Sequence, residues 1–214
     1  TGECVSSFFL QQLKVENIVY TFIQLLMDQT KAFQIADEII DLYQKHGGDE
    51  YFGESVTQLQ HAFQSAELAT AQNCDDEMVL AAFLHDIGHI CVAQQEAETM
   101  ANYGVLNHEK IGAEFLRSRN FSERLVKLVQ AHVSAKRYLT FKDAAYFNQL
   151  SEASKQTLIY QGGKMSHDEA LLFETDELFP QMIAMRKIDE LAKEDIPTGD
   201  LQIFHAMIVQ HLAQ

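Results

Sequence analysis

Four histidines recur along this 214-residue chain at nearly equal intervals: His61, His85, His108 and His132, separated by 24, 23 and 24 residues. Two aspartates join them. Asp86 follows His85 directly inside the apolar run FLHDIGHI, and Asp189 lies between apolar Ile188 and Leu191. A charge or imidazole in so apolar a run must be paired, hydrogen-bonded or bound to metal, because burying it bare is costly. Imidazoles supply neutral nitrogen ligands and carboxylates supply charge, and one carboxylate can bridge two ions through its two oxygens. Four histidines and two aspartates therefore suit two metal ions with coordination positions left open for catalysis, Asp86 being the natural bridge. One histidine on an apolar face is ordinarily a hydrogen-bonded core residue; it is the joint recurrence that points to metal.

An interval of 23 or 24 residues is about the length of one helix plus one turn. Successive helices of a bundle would then each present one imidazole to a shared centre. The rest of the chain agrees with an all-α fold: helix-period segments dominate and no strand-like alternation stands out. Helices are expected up to about Asp28, from Thr30 to Lys45 with a stop at Gly47-Gly48, and from Ser55 through Val56, Leu59, Phe63, Ala66 and Ala69. NCDDEMVLAAFLHDIGHI, capped by Asp75 or Asp76, is apolar all round and predicts a central buried helix. Further helices are expected over 107–118, 122–138 and 142–148, from Ser166 after the Gly162-Gly163 loop, from Pro180 to about Lys193, and over 199–213. The domain plan is an N-terminal helical extension, 1–46, packed on a core of 47–214.

The formal net charge is −15. An acidic exterior repels nucleic acid and anionic membrane surfaces, so neither is expected as a partner, and an anionic substrate needs a local positive site. Cys4, Cys74 and Cys91 lack metal-ligand spacing and suggest reduced thiols and a cytoplasmic setting. No apolar run is long enough to span a bilayer. Homo-oligomerisation is compatible with the sequence and not demanded by it.

The order H…HD…H…H…D resembles the HD-domain superfamily of helical metalloproteins over roughly residues 47–195. His61, His85-Asp86 and Asp189 match its core pattern, and His108 and His132 match the extra histidines of its two-metal members. Most members are phosphohydrolases, so the resemblance first implies a metal-dependent hydrolase of a nucleotide or other phosphate ester. Several residues are surplus to hydrolysis. Tyr51 and Glu54 stand seven to ten residues before His61; His89 lies one turn after His85, Lys136 one turn after His132, and Arg186 one turn before Asp189. With SEASKQTLIYQGGKMSHDEALLFE and MRKIDELAKE, they resemble a narrower subgroup, the HD-type mixed-valent di-iron oxygenases that cleave carbon–phosphorus bonds.

That resemblance implies two iron ions (Fe2+/Fe3+) held by His61, His85, Asp86, His108, His132 and Asp189. Tyr51 matches a tyrosine that occupies an iron position until substrate displaces it, and Glu54 the acid that receives a substrate ammonium. His89, Lys136, Ser154, Thr157 and Arg186 match positions that hold a phosphonate. The implied partners are O2 and a 1-hydroxy-2-(trimethyl)aminoethylphosphonate-type substrate, giving phosphate with glycine or glycine betaine. The amine substituent stays open: Glu54 suits a primary ammonium, whereas Tyr51, Phe52 and Tyr103 could wall a quaternary one. Where the subgroup often has proline after the two glycines, this chain has Lys164. His167 reads as a surface residue, and His46, His205 and His211 have no partner identifiable in the sequence.

Overall fold

The computed structural model describes residues 24–214 apart from Leu25, Phe52, residues 93–97 and Asn102. Most of the N-terminal extension, with Cys4, and the Phe52 wall therefore lie outside the described residues. Among those described, the chain is helical, with no strand beyond two isolated bridges, Glu50 to Thr57 and Thr99 to Val105. The helices are α1 (26–46), α2 (Gln58–Ala71), α3 (Asp76–Leu84), α4 (His108–Arg117), α5 (Glu123–Lys142), α6 (Ala144–Gln149), α7 (Glu152–Tyr160), α8 (His167–Glu174), α9 (Phe179–Leu191) and α10 (Leu201–Leu212). A single 3-10 turn, Ile87–His89, follows α3.

α3 is the hub. Every residue from Met78 to Leu84 is buried, and α2, α5, α9 and α10 pack around it. Phe83 stacks on Phe204 of α10 with ring centroids 3.8 Å apart, and Tyr43 of α1 donates its hydroxyl to the Phe83 carbonyl at 2.8 Å. Each fully buried side chain of this size contributes roughly 1.5–3 kcal/mol by leaving water. Polar caps fix where helices begin. Thr57 and Gln60 form a reciprocal capping box on α2, and the side chains of Asp75, Ser122 and Ser151 accept from the first turns of α3, α5 and α7.

Five boundaries differ from expectation. α1 runs unbroken through Asp28, Gln29 and Thr30, where one helix is expected to end and the next to begin. α2 starts at Gln58, because residues 50–57 fold back on themselves through the Glu50–Thr57 bridge. α3 stops at Leu84, so His85 and Asp86 sit at a helix end rather than inside a helix. α5 runs to Lys142, since nothing in RYLT breaks a helix before Asp143 caps the next one. Residues 152–160, to which the sequence reading assigns no helix, form α7 behind its Ser151 cap.

Candidate metal centre

The six predicted ligands converge from separate elements. His61 comes from the first turn of α2, His85 and Asp86 from the end of α3, His108 from the start of α4, His132 from the middle of α5 and Asp189 from the last turns of α9. All are buried. The α3 break matters: the chain turns at Asp86 into the 3-10 turn, so two adjacent residues can face one centre, which consecutive positions on a straight helix cannot do. The approach of α4 depends on Gly88 and Gly112. A Cβ on Gly88 would lie 1.9 Å from the His108 carbonyl oxygen, and one on Gly112 would press on the Gly88 nitrogen at 3.1 Å.

The donors sort into two groups that share Asp86. In the first, the Nε2 atoms of His61 and His85 are 3.1 Å apart. Asp86 Oδ2 stands 3.5 Å from His61 and 3.2 Å from His85, and Asp189 Oδ1 stands 3.4 and 3.7 Å from them. In the second, His108 and His132 Nε2 are 2.9 Å apart, each 3.4 Å from Asp86 Oδ1. Ligand atoms at bond lengths of about 2.1 Å and right angles stand about 3.0 Å apart, so the contacts suit the edges of two coordination shells.

The imidazole tautomers support this. Each of the four rings points Nδ1 at a backbone carbonyl: His61 at Ala192 (2.6 Å), His85 at Ala82 (2.8 Å), His108 at Val105 (3.1 Å) and His132 at Val129 (2.7 Å). A carbonyl only accepts, so Nδ1 carries the proton and, in the neutral ring, Nε2 offers a lone pair. Two such lone pairs facing each other at about 3 Å repel unless a cation lies between them. Asp86 Oδ2 and Asp189 Oδ1 are buried without a hydrogen-bond partner, both facing that first pair. Buried polar atoms are rarely left so. Burial opposes charging His85, yet Asp86 and Asp189 raise its imidazole well above the usual range, so this corner of the cage calls for positive charge. The donor set fits metal.

By distance alone His89 would join Asp86 and His108 in a metal-sized trio, and its ring stacks on His108 at 4.0 Å. Its tautomer argues otherwise. His89 Nδ1 accepts the Val105 N–H at 3.1 Å, which puts the proton on Nε2. Burial, then the neighbouring His108, pushes the ring well below the usual range and keeps it neutral. His89 is a hydrogen-bond donor beside the cage.

The cage opens on a pocket of about 50 Å³ lined by Tyr51, Glu54, His89, Lys136, Ser154, Thr157 and Arg186 among others, so all the predicted substrate-side residues meet there. Tyr51 sits in a turn that Gly53 completes at φ +81°. Its ring stacks on His61 at 4.0 Å, and burial, then Asp86 and Asp189, raise the phenol well above its usual range. Lys136 donates to Thr157 Oγ1 at 2.6 Å and Gln161 Oε1 at 3.1 Å, and burial, then Arg186, lowers its ammonium to about 7.

Two predicted residues have commitments the sequence did not reveal. Arg186 gives its Nε to the Tyr146 hydroxyl at 2.8 Å and its other nitrogens to Asp189 Oδ2 and Glu190 Oε2, so its guanidinium chiefly orients Asp189. Glu54 Oε1 accepts the Ser151 hydroxyl at 2.5 Å and pairs with Lys193 at 3.1 Å. Tyr146, Ser151, Gln161, Glu190 and Lys193 have no site role in the sequence reading. Of these only Glu190 carried a signal, lying one helical turn beyond Arg186. Away from the centre, His205 pairs with Asp37 at 2.9 Å, and His211 accepts from Ser122 N and stacks on Phe121, so both have partners after all.

Comparison with known proteins follows the same lines. The HD domain family matches over residues 58–178. The [1-hydroxy-2-(trimethylamino)ethyl]phosphonate dioxygenase (glycine-betaine-forming) of Leisingera caerulea is 37% identical over 175 residues, 81% of this chain and 88% of that protein. The hydroxymethylphosphonate dioxygenase of Gimesia maris is 36% identical over 171 residues, 79% of this chain and 84% of that one. An uncharacterised protein of Acanthamoeba polyphaga mimivirus is 40% identical over 163 residues, 76% of this chain and 74% of its own length. No helix among the described residues is long and apolar enough to cross a membrane.

Proposed function

The chain belongs to the HD domain family, and from that premise we propose that it is an O2-dependent dioxygenase cleaving the C–P bond of a 1-hydroxyphosphonate. The class includes the 1-hydroxy-2-(trimethyl)aminoethyl compounds, from which phosphate leaves with glycine or glycine betaine. The similarity to two phosphonate dioxygenases over about four-fifths of the chain supports this reading. The observation that carries it here is the six-donor cage opening directly on a pocket lined by the buried Lys136 ammonium.

In this proposal His61, His85, Asp86, His108, His132 and Asp189 would hold two iron ions in mixed Fe2+/Fe3+ valence. When bound, the metal would supply Lewis-acid polarisation of the substrate hydroxyl and the redox capacity to activate O2. The protein's residues do the positioning. Lys136, braced by Thr157 and Gln161, and the Nε2–H of His89 grip the phosphonate oxygens with charge-assisted bonds. Arg186 holds Asp189 by one oxygen and leaves the other facing the histidines. Tyr51 covers the first half of the cage and must swing off His61 for a substrate oxygen to enter.

The test is O2 uptake and phosphate release by iron-loaded protein given 1-hydroxyphosphonates. Phosphate release should require O2 and match its consumption mole for mole. Equal release from a phosphate ester under argon would return the chain to the hydrolases.

A further inference from the structure

Asp86 and Asp189 belong to the cage, so Glu54 is the carboxylate lining the pocket, among the described residues, that remains for a substrate. It is already paired. The Lys193 ammonium, just beyond the end of α9, meets Glu54 Oε1 at 3.1 Å, Glu190 Oε1 at 2.8 Å and Ser154 Oγ at 3.0 Å. Three acceptors use the three donors of an ammonium, and the lysine side chain is only 15% exposed. It is a fixed charge rather than a solvated one. Ser151 holds the same Glu54 oxygen from the other side.

Glu54 thus faces the pocket as half of a neutral pair. A substrate cation brought to it also meets the Lys193 charge, whose repulsion offsets part of the attraction. A quaternary ammonium has no better seat. The described aromatic residues lining the pocket are Tyr51, which must leave its place for substrate to enter, and Tyr103, so one fixed ring remains where an aromatic cage uses several. The cavity itself has room for only a few water molecules.

We infer that Lys193 is a specificity-determining residue: by neutralising Glu54 it sets the pocket for a 1-hydroxyphosphonate that carries no cationic amine, hydroxymethylphosphonate being the smallest. This rests on the dioxygenase reading above. For that substrate the reaction balances as hydroxymethylphosphonate dianion plus O2 giving formate and dihydrogen phosphate. The C–P bond and one C–H bond break, carbon loses four electrons to dioxygen, both atoms of dioxygen are accounted for in the two products, and no further reductant is needed.

Calorimetric titration under argon tests it, with metal-loaded protein and three ligands: hydroxymethylphosphonate, 2-amino-1-hydroxyethylphosphonate and its trimethylammonium analogue. Wild type should bind the amine-free compound at least tenfold more tightly than either other. Lys193→Met should shrink that ratio tenfold or more, chiefly by tightening the primary amine on the freed Glu54, with metal content unchanged. Lys193→Arg should keep the wild-type order. An aminated phosphonate binding wild type as tightly as the amine-free one overturns the inference, and this arm needs no variant to fold. So does a ratio that Lys193→Met leaves unmoved. Binding of none of the three overturns the dioxygenase reading itself, and the inference with it.

Discussion

The cage and the rim of this site are built by different means. Each of the four cage imidazoles is aimed by a main-chain carbonyl. The charged side chains of the rim are held by other side chains: Lys136 by Thr157 and Gln161, Glu54 by Ser151 and Lys193, Arg186 by Tyr146 and Glu190. A carbonyl survives any substitution at its own residue, whereas a side-chain partner is lost with one codon. The cage geometry should therefore resist change around it, while the rim can be retuned position by position. On this view reaction type and substrate choice are separable properties of one pocket.

Asp86→Asn strikes hardest at that contrast, because Asp86 is the one side chain facing both halves of the cage. Metal content should drop from the two ions per chain proposed above to one or none, with activity down at least about 1000-fold. Two ions retained in the variant would mean that the halves are independent sites. Gly88→Ala attacks the cage through backbone spacing instead. The new methyl would lie against the His108 carbonyl, backbone that cannot step aside, so α4 must move. Thermal melting should show a loss of about 1–3 kcal/mol, with metal leaving the His108 and His132 half first. Arg186→Gln probes the join between the two regions, since Arg186 lines the pocket yet grips Asp189. Metal affinity should fall about 10–100-fold by competition with a chelator; unchanged affinity would assign Arg186 wholly to the rim.

The smallest effect concerns the rim alone. With its ammonium near 7, Lys136 loses its proton as pH rises through that value, and phosphonate binding should weaken towards roughly tenfold per pH unit above it. The linkage to stability has a definite sign. The folded-state value lies below the ordinary lysine value of about 10.4, so between the two the unfolded chain holds more protons and stability rises with pH. Lys136→Met should remove the pH dependence of binding, and raise the melting temperature at pH 7 and below by more than it does near pH 10. Equal gains at both pH values would show that Lys136 is not a strained cation.

The cage was legible in the sequence because four histidines recur at nearly equal spacing and His85-Asp86 interrupt an apolar run, where a polar side chain needs a reason. Spacing then gave the helices, and the family pattern supplied the rim. Two things were not legible. The break after Leu84 leaves no mark in FLHDIGHI, since the same apolar residues suit a continuing helix; the glycine contact that rewards the break is with His108, twenty residues on. Lys193 sits in LAKEDIP, a polar stretch that looks like any solvated helix end. Only its three acceptors, one of them on the far side of the pocket at Glu54, distinguish it from a surface lysine.

Three of the cage rings lean on carbonyls three residues upstream, but His61 borrows that of Ala192, 131 positions downstream. During synthesis, therefore, a ribosome that has released only the first 150 residues has made three imidazoles that can be aimed locally and one that cannot. The fourth waits for the C-terminal stretch, which also brings Asp189. Chains cut short before residue 189 should thus emerge with the His61 half of the cage incomplete.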